Sequence, residues 1–181
     1  MMKTTQAHRR TIHVAAVLLA CASLMLSGCS GLGETYDTGT GITVRYPTDW
    51  NMLHEEQYLY FSPEDIDLLF EGTPLAIFGL DYSIQDPEAL AAEPSELIDY
   101  WAWGMGLEID EELETLGRGD IVWHRTPFTL EFPDPGGLTQ GWIAVTVLED
   151  KVVFALALSP TDAWPDYENT FENMLMNVAF E

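Results

Sequence analysis

Hydrophobic and polar residues alternate over Ile42–Tyr46, and the alternation stops at Pro47. A period of two closed by a proline predicts a half-buried strand. The following Pro47–Trp50 reads as a turn that lays a tryptophan back on the core. Tyr58–Phe61 and Leu75–Leu80 are two further strand candidates. Beyond Asp86 the period lengthens to that of a helix. Asp86-Pro87-Glu88 joins a capping acid to a proline in the first turn, and Pro94-Ser95-Glu96 repeats the start signal. That doubling predicts a kink or two helical pieces. In the second piece Leu97, Ile98, Trp101 and Met105 share a face, and Gly104 and Gly106 end it.

Ile121–Phe132 is extended but interrupted by Pro127, which favours an edge or a bulge. Gly141–Leu148 and Lys151–Leu158 flank the tight turn Glu149-Asp150 and predict a hairpin. Both its strands are apolar on both faces, as central strands covered from two sides would be. A last helix is expected from an Asp162 cap with Pro165 in its first turn, and Trp164, Tyr167, Phe171, Met174, Leu175 and Val178 recur at helical spacing. The order of strands, helix, strands, helix predicts an α+β domain with an antiparallel β-sheet and helices packed on it.

The N-terminal pattern is of another kind. Lys3, Arg9 and Arg10 precede an apolar run over Val14–Leu26, closed by Ser27-Gly28-Cys29. Cationic, apolar and small residues in that order make a secretory signal peptide. Leu26-Ser27-Gly28 directly ahead of Cys29 is the bacterial lipobox pattern. Cleavage between Gly28 and Cys29, with diacylation (palmitate-type chains) of the Cys29 thiol, would leave an extracytoplasmic lipoprotein on a bacterial cell membrane. The Arg9-Arg10 pair has flanks that fit twin-arginine export poorly. The expected organisation is therefore a signal over 1–28, a lipidated cysteine and flexible tether over 29–41, and one domain over 42–181. Cys21 leaves with the signal, so no disulfide is available to the domain.

Charge narrows the function classes. The chain carries a formal −23, and losing the three cations of the signal takes it to −26. Nucleic acid and anionic lipid head groups both require basic footprints, so nucleic-acid binding is excluded. A hydrophobic fraction of 47% argues for an ordinary core under an acidic shell.

Candidate chemistry is sparse. His54 stands beside Glu55 and Glu56 in an expected polar turn, and His124 shares strand parity with Val122, Phe128 and Leu130. Both read as structural or surface histidines, and no nucleophile elbow accompanies them. Asp65 with Asp67, and Asp110 with Glu111, Glu112 and Glu114, offer oxygen ligands but match no ordered calcium loop. The glycine pairs at Gly104/Gly106, Gly117/Gly119 and Gly136/Gly137 lack the lysine and context of a phosphate loop and read as turns. No catalytic residue, metal site or cofactor is expected. Trp103, on a different helix face from Trp101, and the acidic connection Glu108–Glu114 (Glu108, Asp110, Glu111, Glu112, Glu114) are the candidate partner contact.

Two segments carry a family resemblance. Ile42–Trp50 is similar to the strand, proline and tryptophan opening of the Mog1/PsbP-like superfamily, and Tyr167–Phe180 is similar to its closing helix and short final strand. Among bacterial members the chain resembles the small DcrB-like and LpqN-like lipoproteins, although many relatives place a serine where Asn177 stands. The resemblance implies an α/β/α sandwich and an accessory or protein-binding role, with no catalytic residues to carry over. The expected function is a membrane-tethered, non-enzymatic module binding an envelope protein or a small apolar ligand. The alternative is an extracytoplasmic hydrolase using His124 or His54 with a carboxylate. Replacing Cys29 with serine is expected to release the protein from membranes, and detergent-phase partitioning unchanged from the parent would contradict the anchor.

Overall fold

The computed structural model describes residues 31–181 apart from 108, 110–112 and 133–136. The chain enters through β1 (Glu34–Asp37), β2 (Ile42–Tyr46), β3 (Asn51–Glu55) and β4 (Tyr58–Ser62), then a one-turn helix α1 (Asp67–Phe70) and β5 (Ile77–Ile84). Two helices follow, α2 (Pro87–Leu90) and α3 (Pro94–Met105), and then β6 (Glu114–Arg118), β7 (Ile121–Phe132), β8 (Gly137–Val147) and β9 (Val152–Pro160). Helix α4 (Trp164–Met176) and β10 (Ala179–Phe180) close the chain. A seven-stranded antiparallel sheet has the order β3-β4-β5-β9-β8-β7-β6, and a small separate sheet has the order β1-β2-β10.

The expected hairpin is β8–β9, with Val147 opposite Val152 and the Leu148 amide donating to the Lys151 carbonyl at 2.8 Å. It lies at the centre of the large sheet. Along β9, Val153, Ala155 and Ala157 face one core while Val152, Phe154 and Leu158 face another. The first core takes Phe171, Met174 and Leu175 of α4 together with Ile42 and Val44 of the small sheet. The second takes Leu97, Ile98 and Ala102 of α3. The sheet is therefore covered from both sides, the α/β/α layering that the resemblance implied. Residues Leu32–Glu181 form one compact unit.

Local signals placed the helices well. Asp86 Oδ1 accepts from the Glu88 amide at 2.8 Å and starts α2, while a Glu93/Glu96 capping box starts α3 as a separate piece. Gly106, at φ 71°, ends α3 in the left-handed conformation that glycine adopts without strain. Helix α4 departs from expectation at its start, for its cap position is Ala163 and not Asp162. Its C-terminus is closed from outside, because the Arg118 guanidinium donates to the Met176 carbonyl and to Asn177 Oδ1 at 3.1 and 2.6 Å.

Three strands stand where tether, turn and connection were expected. Glu34–Asp37, inside the expected tether, pairs with β2, and Leu32 and Tyr36 pack against the first core. β3 holds His54 in a strand, not a polar turn, and β6 begins at Glu114. All three are edge strands with mostly exposed or half-buried side chains. Ladder hydrogen bonds hold them, and those bonds leave no apolar alternation to read. Pro127, by contrast, lies where its disruption was expected. β6 covers β7 only over Ile121–Arg125, so Pro127 sits on an open edge where a missing N–H breaks no ladder bond.

A Cβ at Gly141 would drive into the backbone of Ala157 and Leu158 on β9, whereas one at Gly104 on α3 meets nothing. Gly141→Ala is expected to destabilise by about 1–3 kcal/mol, and Gly104→Ala to stabilise by up to about 1 kcal/mol. Urea midpoints at unchanged m measure both.

Candidate functional site

The two histidines considered for chemistry lie at opposite sides of the large sheet. β3 and β7 are five strand spacings apart in the sheet order, or roughly 24 Å at about 4.8 Å per strand. His54 is fully engaged. Nδ1 shares a hydrogen bond with Tyr36 Oη at 2.8 Å, and Nε2 lies 3.0 Å from the Glu56 carbonyl and 2.7 Å from Tyr82 Oη. Glu56 occupies the β3–β4 turn at φ 52°, and its carbonyl also accepts from Tyr82 Oη at 3.2 Å. The imidazole thus bolts β1, β5 and a strained turn to the edge strand. Both ring nitrogens are occupied, and among the described residues the partners are two tyrosine hydroxyls and a backbone carbonyl. His124 is half-buried between Thr115 and Val145, on the same sheet face as Phe128 and Leu130 as its parity predicts.

The larger concavity, about 610 Å³, lies beside α4 and is lined by Arg125, Glu114, Gln140, Trp142, Trp164 and Glu168 among others. Arg125 would be its reactive-looking group, yet the guanidinium is already matched. It meets Glu114 at 2.8 Å and Glu172 at 3.6 Å, joining β6, β7 and α4. The lining includes no histidine, cysteine or serine. Trp142 Nε1 is buried without a hydrogen-bond acceptor among the described residues.

The second concavity is smaller and of different character. Helix α3 packs mainly over β8 and β7 and reaches β9 through Trp101, and beside it the β4–β5 part of the same face borders an open groove. Tyr58, Tyr60, Gly79, Asp81 and Leu156 form its floor, and Trp101 and Met105 its helical wall, around about 240 Å³. The Tyr58 and Tyr60 rings lie parallel within 10°, at 6.4 Å between centroids, and Trp101 stacks on Phe154 at 4.6 Å. Glycine at 79 is what lets the Tyr60 ring lie across β5, since a Cβ there would meet that ring at 3.2 Å. Burial pushes the Tyr60 phenol above its ordinary pKa of 10.0, with the charges of Asp81 and Glu55 adding to the effect.

Four of the exposed large hydrophobic side chains belong to this groove or its helix: Tyr58, Met105, Tyr100 at 71% and Trp103 at 78% exposure. Trp103 therefore stands in solvent, while Trp101 is packed, the division that helical spacing predicted. The rest of the expected contact does not join it. Glu114 turns to Arg125 on the opposite sheet face, and Glu108, Asp110, Glu111 and Glu112 lie outside the described residues, as do Gly28 and Cys29. Asp65 Oδ1 accepts from the Asp67 amide at 3.2 Å in a local turn. Among the described residues no cluster of three metal-ligating side chains forms, and no helix is long and apolar enough to cross a membrane. The groove itself was missed in the sequence, where Tyr58 and Tyr60 registered only as strand formers.

No protein-family model matches the chain, and no curated protein is similar to it in sequence. Solved structures are similar in fold. The solution structure of cyanobacterial PsbP (CyanoP) from Synechocystis sp. PCC 6803 superposes with a TM-score of 0.57 at 14% identity, over 85% of this chain and 98% of that one. A crystal structure from Bacteroides thetaiotaomicron superposes with a TM-score of 0.54 at 11% identity, over 83% of this chain. The match spans about half, 49%, of the Bacteroides chain. The fold is thus Mog1/PsbP-like, and at these identities the likeness is one of fold.

Tyr46, Tyr60, Tyr82 and Tyr167 all have raised pKa values with burial as the leading cause. Unfolded tyrosines ionise near pH 10. Their contribution to stability is therefore complete below about pH 10 and is lost as pH rises through the raised folded values. Denaturation midpoints should fall steadily above about pH 10, and Tyr60→Phe should make that fall shallower.

Proposed function

We propose that the protein is a bacterial lipoprotein, anchored through acylated Cys29 on the extracytoplasmic side, whose domain is a non-enzymatic accessory module docking an envelope protein on its α3 face. The observation that carries this reading is the concentration of solvent-facing aromatic side chains on and beside α3, with Trp103 at 78% exposure. Exposed patches of that kind on an otherwise acidic surface mark contact sites. A groove of about 240 Å³ falls below the roughly 300–1,000 Å³ of small-molecule sites, which favours a protein partner over a small apolar ligand. The hydrolase alternative loses support at His54, whose two nitrogens are both engaged by tyrosine hydroxyls and a backbone carbonyl.

The early start of the fold changes how such a module would sit. The Gly33 amide donates to the Tyr46 carbonyl at 3.0 Å, and the Arg45 guanidinium donates to the Leu32 carbonyl at 3.0 Å. Only the three residues 29–31 then remain as tether, a reach of roughly 10 Å at about 3.5 Å per residue. A leash that short keeps the domain close to the membrane and raises its effective concentration toward neighbouring membrane proteins.

A photo-crosslinking amino acid in place of Trp103, in the membrane-anchored chain, is expected to capture one envelope protein, and capture should weaken as salt rises. Robust hydrolysis of ester or peptide substrates by the purified chain, abolished by His124→Ala or His54→Ala, would replace this reading with the enzyme.

A further inference from the structure

We infer that the outward stripe of α3, formed by Glu96, Asp99, Tyr100 and Trp103, docks a basic segment of the partner, with one arginine laid on the Trp103 indole and paired with Asp99. The inference rests on the accessory-module reading and names the chemistry of its partner.

The stripe follows from helical spacing. α3 buries Leu97, Ile98 and Ala102 against the sheet. Residues 96, 99, 100 and 103 fall on the other side of the helix, and all four are exposed. Tyr100 at 71% and Trp103 at 78% are the most exposed large hydrophobic side chains among the described residues. Asp99 precedes Trp103 by four positions, which on a helix makes them neighbours with Cβ atoms about 5–6 Å apart. Their chemistry is free. An indole with 78% of its surface in solvent leaves a ring face open. Glu96 Oε2 accepts from the Glu93 amide at 3.3 Å, whereas Asp99 has no hydrogen bond or ion pair among the described residues. A ring face attracts a cation within about 6 Å of its centroid. A guanidinium can stack its plane there while its edge donates to a neighbouring carboxylate, and arginine performs both better than lysine.

Placement of charge selects the occupant. Between Arg45 and Arg118 the chain contains no lysine or arginine, and α3 lies wholly within that span. The cations gather across the sheet: Arg125 meets Glu172 of α4, Arg118 closes the end of α4, and Arg45 lies on the small sheet. α3 therefore presents two bare aromatic side chains beside carboxylates that no base on the helix offsets. A second copy of this chain would set like charges against Glu96 and Asp99, which disfavours it. Anionic lipid is repelled for the same reason. A helix face is convex and lacks the concavity that a small ligand requires. A basic segment meets every condition. The formal charge of −23 attracts it from a distance, and on arrival it covers both rings.

The test uses the full chain purified in detergent and titrated at low salt with a blocked alanine-based peptide carrying two arginines four residues apart. The ring resonances of Tyr100 and Trp103 are followed. Saturable shifts are expected at both, and none at Trp142 and Trp164, which are buried on the other side of the sheet. Citrulline in place of both arginines should weaken binding at least about fivefold, as should Trp103→Ala. Asp99→Asn should weaken arginine binding and leave citrulline binding unchanged. Glu168→Gln removes an exposed acid of α4 and should leave the affinity unchanged. All three substituted side chains are exposed, so the fold tolerates their loss. A citrulline peptide that binds as tightly as the arginine peptide would overturn the inference in favour of a purely apolar contact. Equal losses at Glu168→Gln and Asp99→Asn, or no saturation at Trp103, would overturn it in favour of diffuse charge attraction. A photo-crosslinker at Gly104, where a side chain meets open space, keeps Trp103 in place in the membrane-anchored chain. An envelope protein captured there that the arginine peptide fails to displace removes only the basic assignment. Arginine seating on the stripe with no envelope protein captured removes the accessory module instead.

Discussion

Everything in this domain hangs on a hairpin that has no polar face. β8 and β9 lie at the middle of the large sheet, and Ile143, Ala144, Val145, Val152, Val153, Phe154 and Ala155 are all fully buried. Neither strand is stable until both of its faces are covered, so α3 and α4 must dock on opposite sides. That requirement sets the α/β/α layering. With no cysteine among the described residues, burial of these two strands supplies the driving force.

The edges are held by polar clamps. Arg45, Arg118, Arg125 and Lys151 are the fixed cations of residues 31–181, and each has a partner within the fold. Arg125 ties β7 to β6 and α4, Arg118 closes α4, Arg45 holds the entering chain at Leu32, and Lys151 meets Asp150 at 3.6 Å in the central hairpin. His54 does the same work at the other edge through two tyrosine hydroxyls and a carbonyl. The positive groups are consumed by the fold, and the outward field is left to the carboxylates. An acidic surface therefore coexists with well-secured sheet edges, and it biases what the domain can meet.

Coverage of the sheet is unequal. α4 and the small sheet fill one face, while α3 packs mainly over β7 and β8 of the other and reaches β9 through Trp101 on Phe154. The less covered part, over β4 and β5, holds the parallel tyrosines and Asp81 and forms the smaller concavity, with Trp101 on its helical side. The cleft beside α4 is larger but is an internal ion-pair junction. A guanidinium already paired with two carboxylates has little left to offer a ligand, so the size of that cleft is not matched by free chemistry.

The sequence by itself determined whatever depends on local pattern. Apolar residues on both faces marked β8 and β9 as central, Asp86 and Pro94 divided the helices, Pro127 marked an open edge, and helical spacing separated Trp101 from Trp103. Those features rest on periodicity and on the backbone chemistry of single residues. Only the tertiary structure decided the rest. β1, β3 and β6 exist because a neighbouring strand supplies hydrogen bonds, so the start of the fold at Leu32 was invisible to any hydrophobic period. Glu114 left the expected contact patch because Arg125, eleven residues on, faces it across a ladder. The aromatic groove draws Tyr58, Asp81, Trp101 and Leu156 from four separate elements. Each looks ordinary in its own segment, and the chemistry arises from their adjacency, which long-range packing alone creates.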